Sequence, residues 1–143
     1  MRLLIRPHQF PTRLIPGLYI LDAGLGMRGA DEQKARGLLA MASGAYPFLK
    51  GQDPVRFARL LAYGEIAVGA LLVAPFVPTA LAGAALTAFG GGLAGVYLRT
   101  PGMRKEGGLS PTPEGVGLSK DLWLLAIGLS LTMDGLLNDR GCR

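Results

Sequence analysis

Four ionisable residues lie where an apolar sequence should not hold them: Asp22, Glu65, Lys120 and Asp121. Asp22 interrupts the apolar stretch 14–28, and Glu65 is the one ionisable carboxylate between Leu60 and Leu98. Lys120 and Asp121 open the last apolar stretch. A charge in such a segment needs a partner, an aqueous opening or a shifted protonation state. Asp22 precedes Arg28 by six residues and Glu65 follows Arg59 by six. At helical rise both stand roughly 9 Å inside their segments. Segments that cross a bilayer in alternation gather Asp22, Glu65, Arg99, Lys120 and Asp121 at one side. Two readings follow. One is a site for a quinone headgroup, a proton or a small polar substrate, with Tyr63 and Tyr97 as hydroxyl donors at similar depth. The other is a structural network in which carboxylates and basic side chains neutralise one another and fix helix register. Lys120 is then the basic partner of Glu65. No residue pattern singles out a catalytic group.

Metal chemistry has little to work with. His8 is the sole histidine and Cys142 the sole cysteine, so multi-histidine haem or zinc sites, thiolate clusters and Cys-x-x-Cys redox pairs are excluded. His8 reads as a juxtamembrane residue and Cys142 as a free thiol near the chain end. Asp134 lies towards the opposite end of the last segment, within snorkelling reach of Arg13 and Arg140, and reads as a terminal salt bridge.

The elements that position these groups follow from hydropathy. Half of the 143 residues are hydrophobic, another 22 are glycine, and 15 Lys and Arg stand against 10 Asp and Glu. The stretch Leu60 to Leu98, as one helix, would reach roughly 58 Å, about twice a hydrocarbon core. Pro75 and Pro78 split it into a hairpin of two antiparallel neighbours. The expected fold is all-α: a polytopic integral membrane four-helix bundle of one domain, residues 1–143, with spans at 14–28, 55–75, 79–98 and 120–137. Pro16 is expected in the first turn of the first span, where its missing amide costs nothing. Asp53-Pro54 starts the second span, and Ser119 caps the fourth. Between spans one and two, Asp31 caps an amphipathic helix that lies in the interface or against the bundle, followed by Tyr46 and Phe48 at headgroup depth. Residues 99–118, rich in Gly and Pro, read as a loop.

In the third span Gly83, Thr87, Gly91 and Gly95 recur every four positions. Such a stripe lets another helix approach closely, whether from within the chain, from a second copy or from another subunit. The formal charge of +5 comes from residues that flank apolar segments, which argues for lipid and against nucleic acid. Ten Lys and Arg lie between Arg28 and Lys120, against five in the two tails. That bias places the loops in the cytoplasm and both termini outside.

The order of these features resembles the DoxX-like family of small four-span bacterial membrane proteins, over residues 13 to 135. The likeness rests on Arg13 with Gly17 and Gly24, on Gly64-Glu65-Ile66-Ala67-Val68-Gly69, and on Lys120-Asp121-Leu122. Family members are associated with redox biology, including a quinone-linked thiosulfate-oxidising complex. The resemblance implies a multi-pass protein of the cell membrane that is an accessory or assembly subunit of a redox-linked complex. It works beside other subunits or as a homo-oligomer. The alternative is a quinone-interacting subunit of a membrane oxidoreductase, with quinone as the implied cofactor and Glu65 and Lys120 as the family-like polar positions. A small-solute carrier is the third class, and four short spans leave it little room for alternating access.

Overall fold

The computed structural model describes residues 5–100, 102–113 and 115–140; Cys142 and the side chain of Arg140 lie outside them. The described residues form helices joined by turns and loops, with one isolated β-bridge between Arg104 and Pro111. A 3-10 turn, Pro7–Gln9, leads into α1 (Phe10–Met27). There follow α2 (Glu32–Ala45), a second 3-10 turn Pro47–Leu49, α3 (Pro54–Val73), α4 (Thr79–Arg99), α5 (Val116–Lys120) and α6 (Leu122–Arg140).

Local chemistry explains most boundaries. Asp31 accepts from the amide of Lys34 at 2.8 Å and starts α2. Asp53 accepts from the amide of Val55 at 3.2 Å, with Pro54 as the first residue of α3. Each cap satisfies an amide that has no intrahelical acceptor. Replacing Asp31 with alanine should destabilise α2 by about 1 kcal/mol, visible as faster amide exchange confined to its first turn; unchanged exchange there would show that the cap is idle. Two boundaries differ from expectation. Helix α1 begins at Phe10, so Pro16 is interior and removes one bond from the ladder. Ser119 caps nothing: its hydroxyl donates to Val116 O at 2.8 Å, and helical structure already begins at Val116.

The helices associate as two close antiparallel pairs, and glycine makes both. In the α1/α3 pair, a Cβ on Gly17 would stand 2.9 Å from the Cβ of Leu72, and one on Gly24 would stand 2.9 Å from Ala62 O. Gly69 answers from α3, where a Cβ would meet Gly17 O at 2.8 Å. In the α4/α6 pair, a Cβ on Gly83 would stand 2.5 Å from Thr132 N, and one on Gly128 would stand 2.6 Å from Thr87 N. Sequence reasoning places α3 and α4 together through their short connection. They do touch, but α3 packs most closely on α1 and α4 on α6, because the smooth faces lie there. Ile20, Leu72, Val77, Ala82, Leu86 and Leu131 form the buried cluster where the two pairs meet. Helix α2 lies against α3 and α4, as its amphipathic sequence suggests.

Two helical stretches, Thr79–Arg99 and Val116–Asn138, are long and apolar enough to cross a membrane. Helix α1 carries Arg13 and Asp22, and α3 carries Arg56, Arg59 and Glu65, which lowers their apolarity. The outward surface is nonetheless apolar on all four: Ile15, Leu18, Leu60, Leu81, Met133 and Leu137 are each more than half exposed.

Candidate functional site

Glu65 is the buried carboxylate of the helix assembly, at 9% exposure. It lies midway along α3, where Gly24 of α1 is close enough that a Cβ there would stand 2.9 Å from the Cβ of Glu65. Its Oε2 is buried and has no hydrogen-bond partner among the described residues. Native structures rarely leave a buried polar atom in that state.

Two cavities meet at this side chain. The larger, about 410 Å³, lies beneath α2 and is lined by Met41, Tyr46, Phe57, Leu61, Phe89 and Leu93, with Glu65 in its wall. Its lining is otherwise overwhelmingly apolar. Such a volume falls within the roughly 300 to 1,000 Å³ of small-molecule sites, and an apolar pocket with few polar groups is their usual form. The smaller cavity, about 160 Å³, holds Glu65 and Asp121 together with Tyr19, Ile20, Ala23 and Leu124. Glu65, Phe89 and Leu93 belong to both walls.

The structure therefore brings together two of the four residues expected to cluster. Glu65 and Asp121 share a cavity. Asp22 and Lys120 are exposed and line neither cavity. Lys120 makes no ion pair with Glu65. The expected Glu65 to Lys120 pairing is thus corrected. Lys120 is exposed at the end of α5. The tyrosines also differ from expectation. Tyr63 is 54% exposed and faces outward, and Tyr97 donates to Leu109 O at 2.6 Å.

Tyr46 contributes to the site in a way that sequence reasoning missed. Its ring lines the larger cavity, its hydroxyl donates to Gly92 O at 2.8 Å, and the Arg99 guanidinium lies 5.6 Å from its ring centroid. This position relates to Gly95, where any Cβ would collide with the Tyr46 hydroxyl. The expected small-residue stripe is therefore shared between two faces. Gly83 and Thr87 meet α6, Gly95 makes room for Tyr46, and a Cβ on Gly91 would have only Leu125 Cδ1, at 4.0 Å, near it. Successive fourth positions rotate by about 40° on a helix of 3.6 residues per turn, or about 120° from Gly83 to Gly95. The α6 contact instead continues through Gly90, where a Cβ would stand 2.7 Å from Leu125 N.

A second polar assembly occupies the opposite end. Arg13 is fully buried and donates to the carbonyls of Leu71, Leu72, Ala74 and Val77 and to the hydroxyl of Thr79. Thr79 donates to Gln9 Oε1 at 2.9 Å, and Gln9 Nε2 donates to Asp134. His8 Nε2 lies 3.2 Å from the same carboxylate, and Asn138 donates to it at 2.6 Å. The expected direct reach of Arg13 to Asp134 is replaced by this relay, because the end of α3 offers Arg13 nearer acceptors. No group of three or more His, Cys, Asp or Glu that could hold a metal is present among the described residues.

Comparison of the chain with protein-family models, with curated proteins and with solved structures finds no match.

Proposed function

We propose that the protein is a DoxX-like, four-span multi-pass protein of the bacterial cell membrane that seats a quinone headgroup beside Glu65. On this reading it serves a membrane-bound redox complex as the quinone-interacting subunit. The observation that carries it is Glu65, a residue with a buried, unpartnered carboxyl oxygen that lines an apolar cavity of about 410 Å³. A protonated carboxyl can donate to a quinone carbonyl, while Phe89, Leu93, Leu61 and Met41 take the ring and the start of the isoprenoid tail. Bound quinone would supply two-electron chemistry between partner enzymes. The chain's own part is to exclude water, orient the ring and hold a proton at Glu65. Asp121 lines the adjoining cavity and on this reading would take that proton onward.

The membrane setting is supported by the outward apolar faces of α1, α3, α4 and α6. Contiguous apolar surface of that extent is uncommon on water-soluble monomers, whereas lipid solvates it without cost. The accessory-subunit reading drew on the glycine stripe as a docking face. Gly83 and Thr87 are taken up by α6, so partner contact is proposed through other outward faces.

The test is quinone content after purification from native membranes in mild detergent. Glu65→Leu removes the donor and should lower quinone occupancy about tenfold, the effect of one hydrogen bond worth about 1.4 kcal/mol. Glu65→Gln retains an N–H donor and should retain more. Ala88→Phe, which fills the larger cavity, should lower it at least as far as Glu65→Leu. Equal quinone content in all four proteins would refute the assignment.

A further inference from the structure

Among the described residues, two buried side-chain atoms lack a hydrogen-bond partner: Glu65 Oε2 and Thr100 Oγ1. The quinone reading accounts for the first only. Thr100 follows the last residue of α4, and its amide donates to Val96 O at 3.0 Å, so the residue is fixed by the helix end. The residue lies in the lining of a separate cavity of about 270 Å³ formed by the start of the 99–118 loop.

That cavity is polar and basic. Among the described residues Arg99, Arg104 and Lys105 line it, with Glu106 as the one carboxylate. The formal balance of these described residues is two positive charges. Arg104 is held in place by bonds to Leu98 O at 2.9 Å and Gly108 O at 3.5 Å. Those carbonyls attenuate its charge without cancelling it. Arg99 is held over the Tyr46 ring, and neither Arg99, Arg104 nor Lys105 makes an ion pair among the described residues.

The loop is built rather than loose. Lys105 N donates to Ser110 O at 2.8 Å, and Thr112 N to Met103 O at 3.1 Å. The Thr112 hydroxyl donates to Gly102 O, and the Tyr97 hydroxyl anchors Leu109. Gly102 and Gly107, at φ +86° and +76°, provide the two reversals that fold the chain back around the cavity.

A concave site with two arginines held in place, a lysine and an unpartnered hydroxyl in a lining residue is complementary to an anion with several acceptor oxygens. We propose that this pocket binds a phosphate group. It lies at the end of α4, one of the two stretches apolar enough to cross a membrane, where headgroups are found. An anionic phospholipid and free phosphate both carry the chemistry that Thr100, Lys105, Arg99 and Arg104 would recognise. This inference is independent of the quinone reading, since the two cavities share no lining residue.

The experiment is thermal unfolding of the full chain in an uncharged detergent. Phosphatidylglycerol, phosphatidylcholine of the same chain length and inorganic phosphate are titrated separately, at constant ionic strength. Saturable stabilisation is expected with phosphatidylglycerol or with inorganic phosphate, and little with phosphatidylcholine. A response to phosphatidylglycerol alone identifies a lipid headgroup, and a response to inorganic phosphate identifies a soluble phosphate compound. Thr100→Val should leave the ligand-free midpoint unchanged or higher, since it removes an unpartnered hydroxyl, and should raise the half-saturating concentration about tenfold. Lys105→Gln, at an exposed position, should do likewise without unfolding the chain. Absence of any shift, an equal shift with phosphatidylcholine, or unaltered titrations in both variants would overturn the proposal.

Discussion

Arg13→Met should remove most of the folded population in detergent, a larger loss than any other polar substitution in this chain. The guanidinium is fully buried and uses all five of its N–H groups: Nε to Leu72 O at 2.9 Å, Nη1 to Val77 O and Thr79 Oγ1 at 3.0 and 3.1 Å, and Nη2 to Leu71 O and Ala74 O at 2.9 Å each. Among the described residues no carboxylate pairs with it. Its counter-charge is the carboxyl end of α3, where the last carbonyls have no intrahelical donor and carry the partial negative end of the helix dipole. One side chain thus caps α3, pins the turn 74–78 and, through Thr79, fixes the start of α4. Methionine fills similar volume but leaves four carbonyls without that donor. The expected destabilisation is about 3 to 5 kcal/mol, since unpaired buried acceptors cost roughly 1 to 3 kcal/mol each and relaxation recovers part. Arg13→Lys should recover less than half, because an ammonium has three donors and no planar fork. Unfolding titrations with a denaturing detergent would measure both. A methionine variant within about 1 kcal/mol of the parent would show that the turn is held by packing alone.

That role of Arg13 was outside the reach of sequence reasoning, and the reason is physical. A basic residue ahead of an apolar stretch has the same appearance whether it snorkels to headgroups or turns inward. The decision depends on where the end of a helix some sixty positions away comes to rest. Features that depend on neighbours in sequence were legible: the Asp31 and Asp53 caps, the break between Pro75 and Pro78, and the amphipathic α2. That Glu65 and Asp121 stand at the same end of the bundle was also legible, because helices that alternate in direction bring the start of the last one to that end. Which way each side chain points around its helix was not, and this left Asp22 and Lys120 outside the site. The cavity beneath α2 was equally hidden, since it is created by Tyr46 reaching Gly92 O and by small residues on α4.

The glycines of α4 provide the sharpest contrast that the structure predicts. Gly90→Val should prevent the chain from accumulating, whereas Gly91→Ala, one position along, should be neutral or stabilising. A Cβ on Gly90 would stand 2.7 Å from the backbone nitrogen of Leu125 and 2.9 Å from its Cα. Backbone cannot yield as a flexible side chain would, so α4 and α6 must separate along the whole seam from Gly83 to Gly90. Separation forfeits the packing in which Gly83 meets Thr132 and Gly128 meets Thr87, and in lipid that packing has no hydrophobic effect to replace it. The loss should reach several kcal/mol, on the order of a severe overpacking mutation. At Gly91 a Cβ would find only Leu125 Cδ1 at 4.0 Å, an ordinary contact, and alanine improves helix propensity by up to about 1 kcal/mol. Chain abundance in membranes and unfolding midpoint should both separate the two variants. If Gly91→Ala were instead the damaging one while Gly90→Val accumulated normally, the α4 seam would have to face along the four-residue stripe, and α6 would not be its partner.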